Sequence, residues 1–370
     1  MRNETTIINV GYALVDKDLE LRKELHIEIA DGLITHIGSG YVSNASLDLR
    51  HGIALPGLVN AHIHVLDYAF LEYGIGLKLE EVVAEPHGLK HRLLDSLTND
   101  DIAYACKRVF YKLLRSGVTT AIIFSELPWA IKIMKDVARE VGIRVIVLGR
   151  PRRGINVENV IDEADGLGLD SPLRYDKESL NKMNRLCNYK GKLIATHVAE
   201  TAKAYLRGDF DLAINHLDAD IIVHGTYLKE EELSVLAEKG KSLVVCPRSN
   251  MWFGVGLPPI AKALERNVNI LLGTDNAGLI DPDIWRELEI TYHLLRLAQS
   301  NASAREVLKM ATTNIEMVKK LSINNVLKEG AKVSITILDA RELDIERVKD
   351  VYSAIVKRAS PMHVIKVISR

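Results

Sequence analysis

The chain has 370 residues, of which 47% are hydrophobic and 26% are charged, and its formal net charge at pH 7 is −1. This composition is typical of an ordinary globular protein, and the near-neutral charge argues against a nucleic-acid or membrane-surface partner. With three widely spaced cysteines (Cys106, Cys187 and Cys246), no signal-peptide pattern and no run of about 20 apolar residues, we expect a cytoplasmic protein without a membrane span.

Both ends of the chain have the pattern of β structure. Residues 25–37, LHIEIADGLITHI, alternate in polarity and turn at Asp31-Gly32, which predicts a hairpin. The C-terminal segment returns to β-branched alternation. Because the termini of compact domains often lie close together, we expect residues 1–55 and 322–370 to form one small sheet domain.

Between these ends, short apolar runs alternate with helical patterns. One helix is predicted from Thr98 to Gly117, and another starts at Asp281-Pro282. Eight runs are rich in Val, Ile and Leu, as strands buried on both faces should be: LPGLVNAHIH, VTTAIIFS, IRVIVLG, ADGLGLDS, KLIATHVAE, ADIIVHGT, SLVVCPRS and NILLGTD. Eight β–α alternations predict an α/β fold, a TIM (β/α)8 barrel, over residues 56–321.

Polar residues mark several of the predicted strand ends. Active sites of TIM barrels lie at the carboxyl ends of the strands. His62 and His64 are one residue apart in the first strand, so their side chains project from the same face. Three later strand ends carry His197 with Glu200, then His224, then Asp275. We therefore expect these six side chains to meet at one mouth of the barrel.

Each of these residues also has an ordinary structural explanation. A lone histidine in an apolar strand is usually a hydrogen-bonded core residue, and a lone HxH is often a polar turn. Their joint position favours a metal site, and three histidines with one aspartate suit zinc or ferrous iron. Such a metal lowers the pKa of bound water from 15.7 towards about 7. Asp275 can then act as a base, and Glu200 can turn its carboxylate towards a substrate.

The chain resembles the amidohydrolase superfamily, within the branch that holds triazine chlorohydrolases and cytosine, guanine and S-adenosylhomocysteine deaminases. The resemblance rests on PGLVNAHIH, HVAE, the passage from CPRSN to LERNVNILLGTDNAG, and MATTNIEMVKKL. It covers nearly the whole chain. It implies that the two terminal segments form a small β-sandwich beside the barrel.

The resemblance also implies an activity, which is hydrolytic deamination of an aminated heterocycle such as a purine, pterin or pyrimidine base or nucleoside. Hydroxide generated at one divalent metal, zinc or alternatively ferrous iron, would add to a ring carbon, and ammonia would leave. ADGLGLDSP has no lysine for a second metal. By resemblance, Glu200 is the proton shuttle, His224 orients the attacking water, and the metal ligands are His62, His64, His197 and Asp275.

Two departures from the deaminase pattern concern the substrate. Asp170 stands where S-adenosylhomocysteine deaminases carry a ribose-contacting histidine, and its carboxylate can accept hydrogen bonds from hydroxyl groups. Arg248 occupies a position that usually holds a small residue, which indicates either an anion contact or a structural salt bridge. Trp252 either covers an aromatic ring or packs its own loop.

Two other functions stay open at this stage. Hydrolysis of a cyclic amide, as in imidazolonepropionase-like relatives, uses a similar carboxylate in the fifth strand, and ammonia release would distinguish the two reactions. A non-catalytic scaffold would be expected to have lost its ligands, whereas all four are present here. The expected partner is a small heterocyclic molecule, and the formation of a homo-oligomer is left open.

Overall fold

The computed structural model describes residues 5–83, 87–152 and 155–369. Its strands are β1 Thr6–Val15, β2 Glu20–Ala30, β3 Leu33–Ser39, β4 Leu47–Pro56, β5 Leu58–His64, β6 Val118–Ser125, β7 Arg144–Gly149, β8 Gly166–Leu169, β9 Leu193–Val198, β10 Ile221–His224, β11 Ser242–Val245, β12 Asn269–Leu272, β13 Asp275–Asn276, β14 Ser334–Asp339 and β15 Val364–Ser369.

The α-helices are α1 Leu79–Val83, α2 Leu89–Leu94, α3 Asn99–Arg115, α4 Ala130–Val141, α5 Val157–Glu163, α6 Lys177–Tyr189, α7 Ala202–Leu206, α8 Asp209–Asn215, α9 Glu230–Glu238, α10 Pro247–Phe253, α11 Ile260–Glu265, α12 Ile284–Leu297, α13 Ala304–Met310 and α14 Val351–Arg358. Short 3-10 helices occupy Val65–Phe70, Pro172–Arg174, Thr313–Met317, Lys319–Leu321 and Pro361–His363. None of the described helices combines the length and apolar character that crossing a bilayer requires.

The two ends of the chain share one six-stranded sheet, with the strand order β15-β14-β4-β1-β2-β3. The predicted hairpin joins β2 to β3, and its two turn residues, Asp31 and Gly32, have φ of 51° and 75°. Positive φ at both central residues is the requirement of a type I′ two-residue turn. β14 runs antiparallel to β4 and so brings the C-terminal segment into the sheet.

The other nine strands form a curled parallel sheet, ordered β12-β11-β10-β9-β8-β7-β6-β5-β13. Only Gly273 and Thr274 separate β12 from β13, yet β12 pairs with β11 whereas β13 pairs with β5. A Cβ at Gly273 would lie 2.9 Å from the backbone nitrogen and oxygen of His62. Glycine is therefore required where this segment crosses β5.

Most predicted elements agree with the structure, although several boundaries need correction; LPGLVNAHIH, for example, is divided between β4 and β5, and NILLGTD between β12 and β13. β6 coincides with VTTAIIFS, and Thr98 caps α3 in a capping box with Asp101. The predicted strand SLVVCPRS ends early because α10 begins at Pro247, and proline suits the first turn of a helix. α12 begins at Ile284 rather than at Asp281, because the side chain of Asp283 caps the amide of Trp285.

The parallel sheet positions the candidate site. Every residue of β5, β6, β9 and β10 is buried, which agrees with strands covered on both faces. Because neighbouring strands run in the same direction, their carboxyl ends lie on one side of the sheet. The residues at those ends therefore lie close together, although more than 200 positions of the sequence separate His62 from Asp275.

Candidate metal centre and cavity

Two imidazole rings face each other at the carboxyl ends of β5 and β9. His64 Nε2 lies 3.4 Å from His197 Nε2. His197 Nδ1 is 2.8 Å from the carbonyl oxygen of Leu169, and His64 Nδ1 is 2.5 Å from Glu126 Oε1. Because carbonyl and carboxylate oxygens accept hydrogen bonds, each Nδ1 must donate, so in the tautomer that binds a metal the lone pair lies on Nε2. Two lone pairs aimed at each other are suited to a cation between them.

Asp275 and His62 complete this cluster. Asp275 Oδ1 lies 3.1 Å from His62 Nε2 and 3.4 Å from His64 Nε2, and its Oδ2 accepts a hydrogen bond of 2.5 Å from Ser249. His62, His197, Asp275 and also His224 offer possible ligand atoms within 4.8 Å of one another. The structure thus brings together the four side chains that the sequence predicts as ligands.

The charge states fit a divalent metal. Burial lowers the pKa of His62 to about 3 and also lowers the pKa of His197, so both rings are neutral, as metal ligands must be. Burial opposes ionisation of Asp275, but the hydrogen bond from His62 and the neighbouring histidines hold its pKa well below the usual range. Neutral imidazoles with one carboxylate form a donor set suited to one divalent ion.

His224 and Glu200 lie at the edge of the cluster. His224 Nδ1 is 2.9 Å from Asn250 Oδ1, and the amide nitrogen of Asn250 donates to Thr226, which orients the amide oxygen towards the ring. His224 Nε2 then faces Glu200 Oε1 at 3.6 Å. Burial raises the pKa of Glu200, which brings its titration closer to neutral pH. A carboxyl group in this state is suited to proton transfer.

Two residues of the cluster have a strained backbone conformation. His224 has a φ of 71° and Asp275 a φ of 65°, both in the left-handed region that non-glycine residues rarely adopt. Each such residue costs on the order of 1–3 kcal/mol and persists only where the surrounding structure enforces it. Other described residues, such as Asp16 and Asn267, also have positive φ, but these two lie in the candidate site, where such conformations are often part of the function.

A cavity of about 490 Å³ opens beside the cluster, and this volume suits a small molecule. Asp170 lies in its wall, 2.9 Å from Arg174 Nη1 and 3.9 Å from Arg150 Nε. Other residues of the wall include Glu80, Lys90, His91, Glu200, Lys203, Arg207, Asp209, His224, Phe253 and Asp275. One carboxylate between two guanidinium groups gives this part of the wall an excess of positive charge.

Arg248 and Trp252 are not among the residues that line this cavity. Arg248 Nη1 lies 3.0 Å from the carbonyl oxygen of Asp281 and 3.4 Å from Glu287 Oε1. Glu287 is fully buried, and burial raises its pKa to about 8. Of the two alternatives for Arg248, the structure therefore shows the contact with a protein carboxyl group, which is a salt bridge when Glu287 is ionised. The Trp252 side chain is half exposed on α10, and its neighbour Phe253 reaches the cavity instead.

Replacing Arg248 with methionine is expected to lower stability without changing substrate preference. Glu287 would lose its cation inside the protein, which should cost about 1–3 kcal/mol because the carboxyl group can become protonated. The loss should grow as the pH rises through about 8 and above, because Glu287 ionises there beside Arg248 and stays protonated without it. Urea unfolding at several pH values would measure it. Glu287→Gln in the same variant should restore part of the stability, whereas an altered preference between anionic and neutral substrates would contradict this assignment.

The prediction from sequence missed several residues of this region. Glu126 directly follows β6 and Arg150 directly follows β7, so the rule that places chemistry at strand ends would have found both. Lys90 lies in α2, in a sequence with no distinguishing pattern. Its burial and its ion pairs depend on distant segments of the chain.

Comparison with known proteins identifies the family. The model described as the amidohydrolase family matches residues 53–370. A protein of Methanothermobacter thermautotrophicus, provisionally named an aminohydrolase, is 30% identical over 367 residues, covering 94% of this chain and 93% of that protein. The 5-methylthioadenosine/S-adenosylhomocysteine deaminase of Clostridium tetani is 28% identical, with 96% of this chain and 89% of that protein covered. The chain belongs to the amidohydrolase family.

A solved structure shows the same fold. The adenosine deaminase of Xanthomonas campestris with bound zinc superimposes with a TM-score of 0.85 at 18% identity, and the match covers 98% of this chain and 91% of that one. The overall resemblance predicted from the sequence motifs is thus confirmed at the level of family and fold.

Proposed function

We propose that this protein is a metal-dependent hydrolytic deaminase of an aminated heterocycle, acting on a C–N bond that is not a peptide bond. The observation that carries the proposal is the convergence of four side chains, His62, His64, His197 and Asp275, with Glu200 on the cavity side of them. Family membership and the deaminase names of its relatives support the same reaction. The proposed substrate is a purine, pterin or pyrimidine base or nucleoside.

We propose zinc as the metal, with ferrous iron as the alternative, held by His62, His64, His197 and Asp275. The donor set suits either ion, and a relative of the same fold was crystallised with zinc. When bound, the metal supplies water that ionises near neutral pH.

The remaining roles are assigned to side chains around that water. His224 Nδ1 donates to Asn250, so its Nε2 lone pair is available to accept a hydrogen bond from the attacking water and orient it. Asp275 takes a proton from the water. Glu200, whose pKa is raised by burial, gives a proton to the ring nitrogen and regains one from the added hydroxyl group as the carbonyl forms, while Asp275 passes its proton to the leaving amine.

We propose that Asp170, together with Arg150 and Arg174, contacts the polar substituents of the substrate. The two arginines surround a single carboxylate, which favours substrates with an anionic or acceptor-rich group. This arrangement gives Arg150 and Arg174 the anion contact that the sequence suggested for Arg248. Trp252 has no substrate contact in this proposal.

Replacing Asp170 with asparagine should shift the protein towards anionic substrates. The change removes the negative charge between two cations, so we expect kcat/KM for a carboxylated substrate to rise several-fold relative to its neutral analogue. Steady-state ammonia release from a matched pair of substrates measures this ratio. Asp95→Asn is the control, since Asp95 pairs with Arg152 at 2.8 Å but does not line the cavity. A ratio unchanged in Asp170→Asn would rule out this substrate contact.

The finer architecture is also part of the proposal. β12 and β13 would together form the eighth strand of a closed (β/α)8 barrel, which is supported by their pairing with opposite edges of the sheet. Residues 56–321 would form this domain, and residues 1–55 with 322–370 a β-sandwich domain. Only Gly57 separates β4 from β5 at the first boundary. α14 would be the part of the small domain that packs against the barrel helices α12 and α13.

The test is ammonia release by the zinc-loaded protein across aminopurines, aminopterins, aminopyrimidines and their nucleosides, with carboxylated members included. Release from one class identifies the reaction and the ring. If no member of the panel releases ammonia although zinc is bound at one equivalent per chain, deamination would be contradicted and hydrolysis of a cyclic amide favoured. Failure to bind zinc or ferrous iron at all would contradict the metal centre.

A further inference from the structure

A second group of buried ionisable side chains lies directly behind His64. Asp67, Lys90 and Glu126 are each at most 4% exposed. Lys90 Nζ lies 2.8 Å from Asp67 Oδ2 and 2.5 Å from Glu126 Oε1, and the same Glu126 oxygen lies 2.5 Å from His64 Nδ1. These contacts form a continuous chain of charged groups from Asp67 to the imidazole.

The composition of this group raises the question of a second metal. His64, Asp67 and Glu126 offer ligand atoms within 4.8 Å of one another, as a metal site would. However, the ammonium group of Lys90 already supplies a cation between the two carboxylates. Among the described residues, Asp67 Oδ1 and Glu126 Oε2 have no hydrogen-bond partner, so the two carboxylates depend on Lys90 for compensation. The ammonium group of Lys90 therefore already supplies the positive charge that a second metal would bring to these two carboxylates.

We propose that Lys90, Asp67 and Glu126 are positioning residues that hold His64 in the orientation required for metal binding. Glu126 accepts the hydrogen of His64 Nδ1, which fixes the tautomer and points Nε2 towards His197 and Asp275. Lys90 holds Glu126 in place, and Asp67 holds Lys90. Carboxylate partners of metal-binding histidines commonly act in this way. The inference rests on the metal centre of the proposed function and adds residues outside the ligand set.

The network joins three segments that are separate in sequence. Asp67 belongs to the 3-10 helix Val65–Phe70, Lys90 to α2, and Glu126 follows β6. Lys90 also lines the cavity. The same ammonium group thus connects the substrate-facing wall with a metal ligand. We therefore expect its loss to weaken metal binding, in addition to any effect on the reaction.

The test measures zinc affinity, with zinc alone as the probe, in Glu126→Gln, Lys90→Met and the double variant Lys90→Met/Asp67→Asn. Competition with a chromophoric chelator gives the affinity, and the visible spectrum of the cobalt-substituted protein reports the ligand geometry. We expect zinc to bind about 10- to 100-fold more weakly in each variant, with an altered cobalt spectrum. The double variant removes one charge of each sign, so it keeps the net charge and separates the loss of the network from a change in charge.

Lys241→Met is the matched control, because Lys241 is also a buried lysine, paired with Asp218 at 2.6 Å, but does not contact the cluster. It should lower the melting temperature and leave zinc affinity unchanged. If Lys90→Met does not fold, the zinc affinities of Glu126→Gln and of the double variant test the proposal instead. Affinities within threefold of the parent in the folded variants would overturn the proposal. A parent that binds zinc but releases no ammonia would contradict the reaction and not this network.

Discussion

Glu200→Gln is expected to lose nearly all turnover while keeping its zinc. Glutamine has the shape of glutamate but cannot transfer a proton, and Glu200 is not among the predicted ligands. Loss of general acid–base catalysis at one group typically lowers the rate by about 10²- to 10⁴-fold. Initial rates of ammonia release and the zinc content of the same preparation would measure both parts of this expectation.

The pH profile provides a second measurement of the same variant. Glu200 must be protonated to donate a proton to the ring nitrogen, so kcat/KM should fall as the pH rises through its pKa. Because burial raises that pKa above the ordinary value of 4.5, the parent should stay active to a higher pH than an ordinary carboxyl group would allow, and this limb should disappear in the variant. Glu80→Gln is the control, since Glu80 also lines the cavity but pairs with Lys203 at 3.2 Å. Activity of Glu200→Gln within tenfold of the parent would exclude the shuttle role.

Asp275→Asn is expected to weaken zinc binding strongly, because Asp275 is itself a proposed ligand. The effect should exceed the roughly 10- to 100-fold weakening that follows when a residue that only holds a ligand in place is replaced. The substitution keeps the shape of the side chain and the contact with Ser249, but removes the negative charge that faces His62 and His64. Turnover should fall as well, because Asp275 also takes the proton from the attacking water. Chelator competition and single-turnover ammonia release would separate the two effects.

Asp283→Asn is a suitable control for that experiment, because Asp283 and Asp275 are both 6% exposed. Asp283 caps α12, a position where asparagine serves as well as aspartate, so neither zinc affinity nor stability should change appreciably. Parental zinc affinity in Asp275→Asn together with lost turnover would restrict Asp275 to the role of base. Parental values of both quantities would remove it from the proposed site.

Local patterns were sufficient to predict the elements that carry the site. The shared face of His62 and His64 follows from their spacing in a strand. The limits of β6 follow from an uninterrupted apolar run, and the start of α3 follows from the Thr98 cap. Each of these features depends on residues that are near one another in sequence. The rule that active sites lie at strand ends then placed His197, Glu200, His224 and Asp275 on one side of the sheet.

Interactions between distant residues were decided only by the tertiary structure. Arg248 could bind either a substrate anion or a protein carboxylate, and its choice depends on Glu287, which is 39 positions away. Lys90 has no distinctive sequence context, and its burial depends on Asp67 and Glu126 in two other segments. The physical reason is that side-chain periodicity and capping are properties of the local backbone. A buried charge, in contrast, is tolerated only where folding brings its counter-charge within a few ångströms.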